Sequence, residues 1–79
     1  MIENLIPLHQ LPIGYRGKVK VLTCDGMIRR RMLDLGLIEN TCVQSLRRSP
    51  TGDPTAYEIR GAVIALRCEE ASKILVELA

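Results

Sequence analysis

The chain has 79 residues, 11 Lys plus Arg against 9 Asp plus Glu, and a formal net charge of +2. A balance this close gives no reason to expect a polyanionic partner, and a chain this short makes one small domain that buries only about 60% of its unfolded surface. Its 24 Leu, Ile and Val residues exclude a disordered chain, and with no Phe or Trp and only Tyr15 and Tyr57 the core has to be aliphatic.

Leu5, Leu8 and Leu11, punctuated by Pro7 and Pro12, predict one loose helical turn docked on the core, with Pro12 and Gly14 supplying a turn after it. Gly17 to Thr23 alternates as a strand, Val19 and Val21 on one face and Lys18 and Lys20 on the other. Asp25 is placed to N-cap a helix from about Gly26 to Leu35, whose Ile28, Met32 and Leu35 fall at i, i+4, i+7 and make one apolar stripe. Gly36 sits where a helix end wants a left-handed residue, and Leu37 can fold back on the last turn. Glu39-Asn40 predicts the next turn, because Asn tolerates positive φ.

Thr41 to Arg48 reads as another strand in which Cys42, Val43 and Leu46 break strict alternation, so a bulge is expected. Pro50-Thr51-Gly52-Asp53-Pro54 is dense in turn chemistry, with Asp53 able to bond its own backbone. Thr55, Tyr57 and Ile59 then alternate with Ala56, Glu58 and Arg60, and Gly61 permits a tight reversal into Ala62 to Leu66. Glu69-Glu70-Ala71 puts two acids in the first turn of a short helix. Ile74, Val76 and Leu78 close the chain as a strand. Four or five short strands at this spacing point to a mainly β fold, a small barrel with one inserted helix and a short C-terminal helical turn.

Gly14, Gly17 and Val19 stand in one order with Arg30-Arg31-Met32-Leu33-Asp34-Leu35-Gly36-Leu37, then Pro50, Gly52-Asp53-Pro54, Arg60-Gly61, Ala65-Leu66-Arg67, Glu70-Ala71 and Ile74. In this order and spacing, from about Leu8 to Val76, the chain resembles the FeoA family, small cytosolic proteins of bacterial ferrous iron transport. The resemblance implies one SH3-like β-barrel domain over residues 1–79. It also implies an accessory role at the cytosolic face of FeoB, a transporter with a cytosolic G-protein domain and a membrane domain. The same fold resembles the C-terminal domain of repressors of the diphtheria toxin repressor type, so a metal-sensing or regulatory module is the alternative. Glu39-Asn40 stands where the family often has Pro-Gly, and the three cysteines lie outside its pattern.

No apolar run approaches the roughly 18 residues of a membrane span, so direct membrane insertion is not expected. Met1-Ile2-Glu3-Asn4 has no basic stretch ahead of an apolar one, which argues against a secretory leader. Cys24, Cys42 and Cys68 are odd in number and lack a Cys-x-x-Cys pair, a pattern that fits a reducing cytoplasm. With His9 they are the soft metal ligands available, but their spacing matches no metal motif, and each suits a strand or strand end as a small hydrophobe. Neither a metal site nor a cofactor is expected.

His9 has no orienting partner for Cys-His chemistry, and Gly52-Asp53 lacks the Gly-rich run and Lys of a phosphate loop, so no catalytic residue is expected. The aromatic platform and recognition helix of nucleic-acid binders are missing too. What remains is a docking surface on the inserted helix. Met27, Met32 and Leu33 are its candidate apolar contacts, Met32 being also a core residue of the apolar stripe, and Arg29, Arg30 and Arg31 are its steering cations. The competing reading is a solvated helix face with Arg30 and Asp34 paired at i, i+4. Strand edges could also pair two copies of the chain into a weak homo-oligomer.

Overall fold

The computed structural model describes residues 4–78. Six antiparallel strands are laid out as β1 (Leu5–Pro7), β2 (Arg16–Leu22), β3 (Cys42–Arg48), β4 (Thr55–Ile59), β5 (Ala62–Leu66) and β6 (Ile74–Leu78), with α1 (Gly26–Asp34) between β2 and β3 and the four-residue α2 (Cys68–Ala71) before β6. A 3-10 turn, Leu8–Gln10, follows β1. The strand order is β1-β6-β2-β3-β4-β5. β1 and β5 therefore lie at opposite ends, and the expected barrel is corrected to an open sheet. The expected helical turn near the N-terminus is confined to Leu8–Gln10, because Leu5–Pro7 instead pairs with β6 through Leu5↔Glu77 and Pro7↔Leu75.

The core is aliphatic apart from Tyr57. Leu8, Leu11, Val19, Met32, Leu37, Val43, Ile59, Leu66, Ala71, Ile74 and Val76 are buried in one cluster. Each fully buried Leu, Ile or Val in it contributes about 1.5–3 kcal/mol of transfer free energy. β4 alternates as its sequence predicts, with Thr55, Tyr57 and Ile59 inside. β6 does so only in part. Ile74 and Val76 are fully buried, while Leu78 is half exposed at the strand's end.

Two bulges shape the sheet. Between Val19 and Val21, β2 spends two residues against one step of β6, Val76 to Leu75. That extra residue reverses the pleat. Val19 stays buried, but Val21, expected on the same face, is 42% exposed. The bulge foreseen in β3 lies between Ser45 and Arg47, opposite Tyr57 and Ala56. Beside it Ser45 bonds the Gly14-Tyr15 turn, accepting from the Gly14 N–H at 2.6 Å and donating to the Tyr15 carbonyl at 3.0 Å.

α1 ends as predicted. Gly36 has φ +96°, its N–H donates to the Leu33 carbonyl, and the Leu37 N–H donates to the Met32 carbonyl, both at 3.0 Å. This is the Schellman arrangement, and Met32 and Leu37 are both buried in the same core cluster. The start differs from expectation, since Asp25 occupies the N-cap but its side chain makes no capping bond. The apolar stripe is also narrower than expected. Met32 is fully buried and Leu35 half-buried, while Ile28, one turn nearer the N-terminus, is 46% exposed.

Asn40 has φ +73°, as the Glu39-Asn40 turn requires. Arg60 and Gly61 form a two-residue hairpin with φ +53° and +85°, and positive φ at both positions makes it a type I′ turn. Gly61→Val places a β-branched residue in that conformation at a cost of about 1–3 kcal/mol. Its melting temperature should drop by about 4–8 °C per kcal/mol, and an unchanged value in calorimetry refutes the turn assignment.

Tyr57 yields a pH prediction. Its side chain is fully buried, and its hydroxyl faces the Leu8 carbonyl at 3.5 Å. Burial, which disfavours the phenolate, raises its pKa above 10.0. The unfolded chain therefore releases this proton first as the pH rises. Stability from the neutral phenol is complete below pH 10 and is lost progressively above it. Tyr57→Phe should flatten that alkaline loss in urea titrations at pH 9 to 11, while costing about 1 kcal/mol or less at neutral pH.

Candidate docking surface

α1 is held to the sheet chiefly through Met32 and Leu35, which leaves most of its circumference in solvent. Met27 is 89% and Leu33 39% exposed. The three arginines, one after another on a helix, point in three directions, and the structure gives them three fates. Arg29 turns back to the sheet and donates from Nη1 to the Leu22 carbonyl at 3.2 Å. Arg31 turns to the opposite side and pairs with the Glu70 carboxylate. Arg30 has neither an ion-pair nor a hydrogen-bond partner among the described residues. The Arg30–Asp34 pair expected of a bland helix face is not formed, and the ion pairs among the described residues are Arg31–Glu70 and Lys20–Glu77.

The Arg31 contact belongs to a small polar junction. Glu70 uses Oε2 for Arg31 and Oε1 to accept the Arg67 N–H at 3.1 Å. Asp53 does not bond its own backbone as expected. Its Oδ1 instead accepts the Cys68 N–H at 2.7 Å, satisfying an open donor at the start of α2. Thus Glu70 serves a structural purpose beyond the helix dipole, and Arg31 is occupied in joining α1 to α2.

Leu33 separates two shallow clefts. On one side Gly26, Arg29, Arg30 and Asp34 line a cleft of about 390 Å³. On the other, Val21, Leu22 and Ile38 make an apolar floor with Lys20 and Glu39 at its margin. The structure therefore brings Arg29, Arg30 and Leu33 together, and leaves Met27 and Arg31 outside both clefts. Sequence reasoning missed Val21 and Ile38. Ile38 could have been found, because Leu37 alone is needed to fold back on the helix and the next apolar residue is left over. Val21 could not, because only the bulge exposes it.

A separate polar cavity of about 430 Å³ opens on the outer face of β2, β3 and β4, lined by Arg16, Thr41, Cys42, Gln44, Glu58 and Arg60. Cys24 is buried as a small hydrophobe, but Cys42 and Cys68 are exposed, against expectation, because Cys42 falls on the outward phase of β3 and Cys68 begins α2. His9 lies on the 3-10 turn. Among the described residues no three of His, Cys, Asp or Glu gather to hold a metal ion. No helix among them is long and apolar enough to cross a membrane. What α1 offers is recognition chemistry, with cations beside exposed aliphatic side chains.

Comparison with known proteins gives a consistent result. The family described as FeoA domain matches residues 6–78. A curated relative, the Fe(2+) transport protein A/Fe(2+) transporter FeoB fusion protein of Porphyromonas gingivalis, is 31% identical over 71 residues, which are 90% of this chain but only 8% of that protein. The solution structure of a FeoA-like protein from Clostridium acetobutylicum is 33% identical, with a TM-score of 0.88 over 99% of this chain and 90% of that one. The crystal structure of Stenotrophomonas maltophilia FeoA in complex with zinc, described as a prokaryotic SH3 domain protein, is 27% identical, with a TM-score of 0.75 over 89% of this chain and 87% of that one.

The junction between the helices is testable. The Arg31 and Glu70 side chains are 51% and 20% exposed, so their coupling is expected to be about 0.5–1 kcal/mol. A double-mutant cycle with Arg31→Gln and Glu70→Gln should return that value. Glu70→Gln should be the costlier single change, because Glu70 also holds the Arg67 N–H.

Proposed function

The chain belongs to the FeoA domain family, and on that premise we propose that it is a non-catalytic accessory of ferrous iron transport, docking on the cytosolic face of a FeoB-type transporter and modulating its uptake. The observation that carries this reading is the P. gingivalis relative, in which a FeoA segment and a FeoB transporter are one polypeptide. Covalent fusion keeps two modules at high effective concentration, which favours contact between them.

The docking surface in this reading is the outer side of α1. Arg30, free of any partner among the described residues, and Arg29 beside it attract an acidic patch and set the encounter rate. Leu33, Met27 and Ile38 then supply apolar area, with Met27 able to adapt its shape. Arg31 contributes positive potential but keeps its pairing with Glu70. The work proposed for the chain is binding, and no bond is made or broken.

The test is an NMR titration of the labelled protein with the cytosolic domain of the cognate transporter. Shifts should cluster between Met27 and Ile38, and Arg30→Glu should weaken binding roughly tenfold, less so at high salt. Shifts confined to other residues would discard this surface while keeping the partner. Absence of any shift, with the full-length transporter in detergent giving the same result, would refute the docking reading.

A further inference from the structure

The two edges of the sheet are unlike. β1 as described is three residues long and ends in Pro7, which has no N–H to offer. β5, Ala62-Val63-Ile64-Ala65-Leu66, has five residues with no charge, no Pro and no bulge, and among the described residues it pairs only with β4. Edge strands are commonly blunted by charges, Pro or bulges, because an open edge is a template for another strand. This one carries none of these devices, and Val63 upon it is 60% exposed.

Its hydrogen-bonding groups can be assigned from the hairpin. Ile59 and Ala62 flank the two-residue turn and form a hydrogen-bonded pair, as do Tyr57 with Ile64 and Thr55 with Leu66. Val63 and Ala65 therefore point their N–H and C=O groups away from the sheet. None of these four groups has a backbone partner among the described residues.

We propose that β5 is a homodimerisation edge, pairing antiparallel with β5 of a second copy about a two-fold axis at Ile64. In that register Val63 lies opposite Ala65 of the second copy and Ala65 opposite its Val63, so all four outward groups on each strand are satisfied. A shift of two residues in either direction leaves some unmet. The next outward N–H on the C-terminal side, that of Arg67, is already bound by Glu70. Electrostatics also favour self-pairing, because a strand without charges sets no like charges opposite one another.

On the core side the half-buried Ile64 meets its own symmetry mate, and on the outer side Val63 packs against Ala65. The contact is isologous, so it stops at a dimer with the β1 edges outermost. It is also small. A five-residue edge falls below the ~1,200 Å² of a standard complex, so dissociation constants on the order of 10⁻⁴ M are expected.

Sedimentation velocity of the isolated protein from micromolar to millimolar concentration tests the proposal without any transporter present. The wild type should shift from monomer to dimer, and hydrogen exchange at the Val63 and Ala65 amides should slow as it does so. The double variant Val63→Lys with Ala65→Lys should stay monomeric with an unchanged circular dichroism spectrum. Ala65→Pro, which removes an outward N–H and leaves the β4 pairing intact, should do the same and guards against misfolding of the lysine variant. A monomer at 1 mM, dimerisation unaffected by these changes, or unaltered exchange at Val63 and Ala65 overturns the proposal. Protection of those amides only when the transporter's cytosolic domain is added would assign the edge to that partner and overturn it equally.

Discussion

The fold depends on the close approach of β2 and β6 at Gly17. A Cβ on Gly17 would lie 3.2 Å from both the Val76 side chain and the Glu77 carbonyl, tighter than neighbouring strands ordinarily allow. Val76 is fully buried there and pairs with Val19 on one side and Ile6 on the other. The last strand of the chain is thus inserted between the first two, and among the described residues β1 pairs with the sheet through β6 alone. Such pairing over more than fifty residues must first offset loop-closure entropy. The β3-β4-β5 meander follows β2 through the connection that carries α1 and flanks β2 on the side opposite β6.

A second set of ties sets the attitude of the helices. Asp53 in the β3-β4 loop holds the first N–H of α2, and Glu70 in α2 holds both the Arg67 N–H and Arg31 of α1. Individually these bonds are worth about 1 kcal/mol or less at the surface. Their value is geometric, because three elements distant in sequence are fixed to one another at the rim of an aliphatic core that is itself non-directional. The same junction explains why one of three adjacent arginines is committed while Arg30 is left over.

Much of this was legible in the residues. The Gly36-Leu37 helix end, the Asn40 turn, the Gly61 reversal and the alternation of Thr55, Tyr57 and Ile59 each follow from local backbone preference or period, and each is found. The departures share one cause. Val21, Ile28 and Leu78 are apolar residues whose exposure is decided by a bulge, by the breadth of the sheet beneath α1, and by a strand's end, none of which is local. Leu5–Pro7 reads as a turn on its own and becomes a strand only because β6 is there to receive it. Closure into a barrel, likewise, is a property of strand stagger and not of any one segment. On the surface proposed for docking, the division of labour among Arg29, Arg30 and Arg31 required the positions of Leu22 and Glu70.

The proposed docking and the proposed edge pairing draw on separate parts of this structure. The clefts beside α1 are made by the helix, by the segment up to Glu39 and by β2, whereas the open edge is Val63 to Ala65, two strands beyond β3. They share no lining residue, so occupation of one surface does not consume the other. A pair of chains joined through β5 carries two copies of α1 related by a two-fold axis. Binding of the first copy to a repeated or clustered partner makes binding of the second intramolecular, and a weak edge contact would then act on avidity more than on stability. The absence of charge from β5 and its concentration on α1 suit that proposed division, since an uncharged edge sets no like charges opposite its own copy and a cationic face favours an acidic partner.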